Sequence, residues 1–117
     1  MTITLCGSTR FKDTFFQVAE ELTLAGHIIL MPLVFHHADN KELTTKQKIQ
    51  LDNLHKQKID MSDAIYVVNR NGYIGESTFG EIDWAERNNK QIFFLETPVS
   101  EDTTTEEEEK DAWSHRL

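Results

Sequence analysis

Four short apolar runs rich in β-branched residues recur along the chain and alternate with stretches of helical spacing. The runs are Thr2 to Gly7, His27 to Met31, Ala64 to Val68 and Gln91 to Leu95. Strands that are apolar on both faces and alternate with helices are typical of parallel sheets. The pattern therefore predicts a parallel sheet with helices packed on both sides.

The segments between these runs carry helix signals. Residues 11–25 place apolar side chains three and four positions apart, which indicates an amphipathic helix. A second helix is predicted to run to about Ile59, with only a thin apolar stripe at Leu51 and Leu54. A third is predicted from about Ser77 to Asn89. The order of elements is thus strand, helix, strand, helix, strand, helix, strand.

Right-handed crossovers between these strands predict a small doubly wound α/β fold of the Rossmann-like or flavodoxin-like type. We expect four to five strands, in an order beginning 2-1-3-4, with helices on both faces. In such folds ligands bind beyond the carboxyl ends of the strands, near the point where the strand order reverses. The loops after the first and third strands are therefore the first places to look for a site.

Composition and net charge limit the classes of function that the chain can have. The 117 residues predict one domain at 1–96, followed by an acidic tail at 97–117 that is either a short helix or frayed. The net charge of −8, most of it in Ser100 to Asp111, disfavours a nucleic-acid polymer or an anionic membrane as partner. The single cysteine, Cys6, excludes an internal disulfide and favours a reducing compartment. No apolar run approaches the roughly 20 residues of a membrane span, so we expect a cytoplasmic protein.

The loop that follows the first strand reads "CGSTRF" and suits an anion. Gly7 permits a tight turn, and Ser8 or Thr9 can cap the next helix. Free amides at a helix N-terminus, together with the guanidinium of Arg10, would suit a phosphate or a ribose hydroxyl. Simple helix capping explains the same residues. The lysine and glycine spacing of a P-loop is absent.

Glu81 is the strongest candidate in the loop and helix after the third strand. When residues 76–89 are wound as a helix, Thr78, Ile82 and Ala85 form the buried stripe and Glu81 lies at its border. A carboxyl group there is partly desolvated yet reachable from the loop, which raises its pKa or prepares it as a nucleophile. The alternative is that acids in the first turns of a helix simply favour the helix dipole.

The histidines offer little support for a metal. His36, His37 and Asp39 match no standard ligand spacing, so neither a metal nor any other cofactor is predicted. His55 lies on the apolar face of the second helix and is interpreted as a structural histidine near the sheet. Cys6 lacks a nearby basic partner in the sequence that would mark it as a nucleophile.

Four segments resemble the nucleoside 2-deoxyribosyltransferase superfamily, which includes the deoxynucleoside-monophosphate N-glycosidases. They are "ITLCGSTRF", "AGHIILMP", "KIDMSDAIYVVN" and "GYIGESTFGEIDWAERNNKQIFFLE", and they span residues 3–96 in order. The resemblance implies that Glu81 is a nucleophile that attacks the anomeric carbon of a nucleoside or nucleotide. It also implies a pocket for sugar and phosphate, to which we assign Cys6, Gly7, Ser8, Thr9, Arg10, Asn69, Gly75, Glu76, Ser77 and Thr78.

The chain departs from that family at two positions. Where the characterised enzymes carry an aspartate, the aligned residue here is His55, so the candidate acid is His55 or, alternatively, Asp60 or Asp63. The tyrosine near the first strand is also missing, and Phe11 stands in that loop. A nucleotide-binding module without turnover is therefore the alternative to an enzyme.

Partners follow from the same resemblance. It implies a small-molecule nucleoside or nucleotide as ligand and a homodimer or larger assembly. Trp84, which lies away from the buried stripe, is the candidate interface residue. A third hypothesis, an interaction protein without a ligand, would make Trp84 and the acidic tail the important surfaces.

Overall fold

The computed structural model describes residues 1–97, so the prediction of an acidic tail falls outside the described residues except for Thr97. Short 3-10 turns at Thr9–Phe11 and Arg70–Gly72 precede the first and third helices. The main elements are β1 (Thr2–Gly7), α1 (Lys12–Leu24), β2 (Ile28–Leu30), α2 (Thr45–Asp60), β3 (Ala64–Val68), α3 (Glu76–Arg87) and β4 (Gln91–Phe94).

The four strands form one parallel sheet in the order β2-β1-β3-β4. This order confirms the α/β fold and the predicted 2-1-3-4 arrangement. Gly7 at the end of β1 is paired with Val68 at the end of β3, so both strands end at the same level. The strand order reverses between them, which places the loops after β1 and β3 side by side at the carboxyl edge.

Two hydrophobic layers cover the sheet. On one side Phe15 and Val18 of α1 pack with Leu5 of β1. On the other, Ile59 of α2 and Ile82 of α3 belong to a second cluster. Because successive side chains of a strand point to opposite faces, β1 directs Ile3 and Leu5 towards α1 and Thr4 and Cys6 towards α2 and α3.

Helix α2 begins with a capping box, in which the hydroxyl of Thr44 accepts from the amide of Gln47 at 3.1 Å. Its buried residues are His55 and Ile59, whereas Leu54 is 42 % exposed. The helix thus turns His55 to the sheet, as interpreted from the sequence, and leaves Leu54 of the predicted stripe at an exposed border. A polar residue faces the sheet because Cys6 of β1 lies opposite it, 3.3 Å away.

Trp84 does not form the free surface that was predicted for it. Its indole nitrogen donates to the carboxylate of Asp60 at 2.9 Å, and the Lys56 ammonium lies 5.2 Å from the ring centroid. The ring is half-buried against the cluster between the sheet and the two helices. Trp84 therefore joins α3 to α2 within the chain, while part of its ring stays exposed.

No helix within residues 1–97 combines the length and the apolar character that crossing a membrane would need.

Gly7 is the position where the fold most needs a glycine. Its φ is +152°, and a Cβ there would lie 2.8 Å from the carbonyl oxygen of Val68 and 3.2 Å from Phe15. We expect Gly7→Ala to lower the free energy of unfolding by about 2–4 kcal/mol, because it adds backbone strain to a steric clash.

Urea unfolding would measure this effect, with Gly80→Ala as the matched control. Gly80 lies within α3 with no atom near its Cβ position. The control should therefore stabilise the protein by about 1 kcal/mol through helix propensity. Equal stability of Gly7→Ala and wild type would show that β1 and β3 can separate at this point.

Candidate active site

A cavity of about 520 Å³ opens at the carboxyl edge of the sheet, beside the ends of β1 and β3. Its volume lies in the range of small-molecule sites. Three segments enclose it: the loop after β1, the loop after β2 with the inner face of α2, and the start of α3. The lining comprises Gly7, Ser8, Thr9, Arg10, Pro32, Leu33, Val34, His36, His37, Lys48, Leu51, Asp52, Leu54, His55, Lys58, Tyr73, Gly75, Glu76, Ser77, Thr78 and Glu81.

The loop after β1 places the guanidinium of Arg10 at one side of the cavity, where its neighbours fix its orientation. The hydroxyl of Ser8 accepts from the backbone amide of Arg10 at 3.4 Å and from its Nε at 3.0 Å. The guanidinium also lies 4.5 Å from the ring centroid of Tyr73 and donates to the Tyr73 hydroxyl at 3.4 Å. Among residues 1–97, the ion pairs do not include Arg10. The charge is thus oriented by neutral groups.

The loop after β2 closes the opposite side of the cavity. Thr9 and His37 share a hydrogen bond of 2.8 Å between Oγ1 and Nδ1, which ties this loop to the one after β1. His36 stacks on His37, and its pKa is lowered, chiefly by burial. Asp39 pairs instead with Lys12 at 3.0 Å. These contacts account for Asp39 without a metal.

Glu81 lies on the inner wall of the cavity, in the second turn of α3. Its side chain is 17 % exposed, and Oε1 lies 3.6 Å from Nε2 of His55. Within the described residues Oε1 has no hydrogen-bond partner. Burial raises the pKa of Glu81 to about 8; the charge of Asp52 adds to this, while the Cys6 thiol and the charge of Lys56 oppose it.

His55 is buried between Glu81 and the sheet. Burial lowers its pKa to about 4, and the charge of Lys58 acts in the same direction. Although Glu81 and His55 are close enough to form an ion pair, both are therefore neutral near pH 7. Removing two charges from water costs more than their attraction over 3.6 Å returns.

Cys6 lies behind the cavity wall and is fully buried. Its Sγ is 3.3 Å from Nε2 of His55, so the expectation that Cys6 has no basic neighbour was wrong. Burial raises the pKa of the thiol, as do the charge and hydrogen bond of Glu81, which keeps it protonated. The two residues are 49 positions apart, so their spacing gives no hint of the contact.

Most of the predicted site residues meet in this cavity, but three do not line it. Besides Cys6 these are Asn69 and Asp60. The side-chain amide of Asn69 donates to the backbone carbonyl of Glu96 at 2.8 Å and accepts from the backbone N–H of Glu96 at 2.9 Å. Both polar groups of its amide are thus used to tie the end of β3 to the residues after β4, which corrects its assignment to substrate binding.

Asp60 also needs correction as a catalytic candidate. It ends α2 just before Asp63, whose amide donates to Thr2 at the start of β1, so it lies at the edge of the sheet remote from Gly7. Its carboxylate accepts from Trp84, and its carbonyl accepts from the ammonium of Lys90 at 3.1 Å. These contacts make Asp60 a structural residue.

Apart from His55, sequence reasoning missed the contributions of α2, and it also missed those of the loop after β2. Since β2 lies next to β1, the loop that follows it opens on the same edge of the sheet. On α2, Lys48, Asp52 and His55 are spaced by three or four residues and all line the cavity. Only the predicted strand order could have indicated that these segments line the cavity.

The cavity therefore combines a buried carboxyl group, a neutral imidazole and an oriented guanidinium at the switch point of a doubly wound sheet. No protein-family model, curated protein or solved structure matches this chain.

Proposed function

We propose that this chain cleaves or transfers the N-glycosidic bond of a nucleoside, a 2′-deoxynucleoside or its 5′-monophosphate, through a covalent ester between the sugar and Glu81. The observation that carries the proposal is the position of the Glu81 carboxyl, which is largely buried and lines a cavity of nucleoside size. A carboxylate in such a place is poorly solvated and therefore a strong nucleophile once ionised. The resemblance noted in the sequence supports the same role.

The rest of the cavity supports a sugar phosphate as the bound part of the substrate. Arg10, Ser8 and the hydroxyl of Tyr73 form one donor-rich corner. The first turn of α3 adds Ser77 to the lining, and the residue before it adds the backbone of Gly75. Because the guanidinium has no carboxylate partner among residues 1–97, a 5′-phosphate would complete its pairing. We therefore favour a monophosphate, and with it hydrolysis over base exchange.

In the first step an oxygen of ionised Glu81 attacks C1′, the bond from C1′ to the base nitrogen breaks, and the base leaves with the electron pair. The leaving base takes a proton from water, relayed through a carboxyl group of the lining such as Asp52 or Glu76. A water molecule then attacks C1′ and loses its proton to the same carboxylate, which releases the sugar and frees Glu81, whereas attack by a second base gives transfer.

His55 acts on Glu81 rather than on the leaving base. Its Nε2 is 3.6 Å from Oε1, and its pKa is lowered to about 4, so the neutral imidazole fixes the position of the carboxyl group without taking its proton. This role differs from that of a general acid, which the resemblance suggested, because an imidazole with so low a pKa is not protonated near neutral pH. His55 is therefore a positioning residue.

A nucleotide-binding module without turnover remains the second candidate function, and one observation favours it. With a pKa of about 8, Glu81 is mostly protonated at neutral pH, and a protonated carboxyl group does not attack. Such a module would keep the cavity and the Arg10 corner.

Incubation with a panel of nucleosides, deoxynucleosides and their 5′-monophosphates, with free base followed by chromatography, tests the proposal. Base release, fastest from a monophosphate, is the expected result. If no substrate releases base between about pH 6 and pH 9 while a monophosphate raises the melting temperature, the binding module is correct.

The pH dependence of base release reports the state of Glu81. Since only the ionised carboxylate attacks, we expect kcat/KM to rise about tenfold per pH unit below about pH 8 and to level off above it. Initial rates at low substrate concentration in a buffer series would measure this. A rate that is constant below pH 8 and falls above it would instead show that Glu81 works as an acid.

We also propose self-association and a cytoplasmic location. Exposed apolar side chains at Leu24, Ile28 and Leu33 support a homodimer or larger assembly, since water-exposed apolar area favours association. The free, buried Cys6 fits a reducing compartment.

A further inference from the structure

Three side chains that carry metal-ligand atoms meet behind the cavity: the thiol of Cys6, the imidazole of His55 and the carboxyl group of Glu81. One ligand atom from each lies within 4.8 Å of the other two. We propose that they bind one divalent transition-metal ion, with Zn²⁺ as the best match. The site is distinct in chemistry from the proposed glycosidic reaction but shares Glu81 with it.

The distances suit a tetrahedral ion. Bonds of about 2.3 Å to sulfur and about 2.0–2.2 Å to nitrogen and oxygen place neighbouring ligand atoms about 3.3–3.6 Å apart. Sγ of Cys6 lies 3.3 Å from Nε2 of His55, and that nitrogen lies 3.6 Å from Oε1 of Glu81. These two pairs thus match the spacing within a few tenths of an ångström, and the ligand atoms of Cys6 and Glu81 lie within 4.8 Å of each other, so an ion would draw these two side chains together.

The chemical types of the three ligands favour some metal ions over others. A thiolate and an imidazole suit Zn²⁺ and its neighbours, whereas Mg²⁺ and Ca²⁺ prefer oxygen alone. The ionised forms of Cys6 and Glu81 would together balance the two charges of the ion, so the buried site becomes neutral overall. Because His55 and Glu81 also line the cavity, water there can supply the fourth ligand.

An unsatisfied atom points to the same ligand. Oε1 of Glu81 is buried and has no hydrogen-bond partner among the described residues. Buried polar atoms are nearly always paired, so an orphaned carboxyl oxygen facing an imidazole calls for a missing partner. A metal ion would supply it. The three ligands stand on β1, α2 and α3, which hold them at fixed separations.

Occupation of this site would block the Glu81 carboxylate, so Zn²⁺ should inhibit base release. That consequence alone rests on the proposed function. Metal binding itself does not depend on turnover.

The test uses untagged, chelator-stripped protein and two metals. Zn²⁺ is titrated in competition with a chromogenic chelator, and Co²⁺ is added to look for a thiolate-to-cobalt charge-transfer band. We expect one ion per chain and a band in the wild type. Since loss of an outer-shell partner alone costs about 10–100-fold in affinity, Cys6→Ser and His55→Gln should each lose at least tenfold.

His27→Gln is the matched control, because it removes an imidazole that is not one of the three ligands; Nδ1 of His27 lies 3.1 Å from the amino group of Met1. Its affinity should equal that of the wild type. Absence of saturable binding and of the cobalt band in the wild type would overturn the proposal without any variant having to fold. Affinity kept in Cys6→Ser but lost in His27→Gln would overturn it as well. Neither outcome depends on glycosidic activity.

Discussion

Replacing Glu81 by glutamine is expected to lower kcat/KM for base release about a thousandfold or more, because the amide keeps the shape of the side chain but cannot form the ester with C1′. Rates should be measured in the presence of a chelator on the substrate that the wild type turns over best. Glu86→Gln is the matched control, since Glu86 is exposed on the same helix. It should keep wild-type activity.

The covalent step gives this prediction a second readout. Acid-quenched wild type should contain a species heavier by one sugar or sugar phosphate, and Glu81→Gln should lack it. Activity of Glu81→Gln within tenfold of the wild type would place the nucleophile elsewhere. Full loss of activity without a detectable adduct in the wild type would instead favour a direct attack by water, with Glu81 as its base.

The fold followed from the sequence because two strong rules apply to it. Strands apolar on both faces must be covered on both sides, and parallel crossovers are right-handed. The order β2-β1-β3-β4 and the adjacency of Gly7 to Val68 are consequences of these rules. The same adjacency explains why the Ser8 loop and the start of α3 were both recognised as parts of one site.

The contact of Cys6 with His55 could not be predicted, because it depends on which face α2 turns to the sheet. That helix has few apolar residues, and the stripe at Leu51 and Leu54 was taken as its inner face. The sheet receives His55, the residue interpreted as a structural histidine near it, together with Ile59. Periodicity indicated this face of the helix but not the partner of His55, because that partner lies 49 positions away on β1.

Glu81→Gln should also change how stability depends on pH, and by several kcal/mol. With a pKa raised from 4.5 to about 8, Glu81 holds an extra proton in the folded state. Its contribution to stability is fully present below pH 4.5 and is lost as the pH rises through about 8. His55 acts oppositely: its pKa is lowered from 6.5 to about 4, so its contribution is lost as the pH falls through that range.

In the wild type the two slopes cancel between pH 4.5 and 6.5, but His55 titrates in Glu81→Gln as well and therefore drops out of the difference between the two proteins. Relative to Glu81→Gln, the wild type should lose up to about 1.4 kcal/mol per pH unit above pH 4.5, or about 4 kcal/mol by pH 8. Urea unfolding of both proteins in a buffer series with chelator would give the difference in the free energy of unfolding. The same series for Glu86→Gln should give a constant difference from the wild type.

A constant difference for Glu81→Gln would mean that Glu81 is already ionised in the folded protein at neutral pH. In that case kcat/KM should also stop rising with pH well below 8, because both measurements follow the same proton. A stability difference that grows with pH while kcat/KM stays constant would separate the titration of Glu81 from catalysis. It would show a buried, protonated Glu81 that takes no part in the chemistry. Only the joint rise of both supports a carboxylate that the fold keeps poorly solvated and the reaction uses.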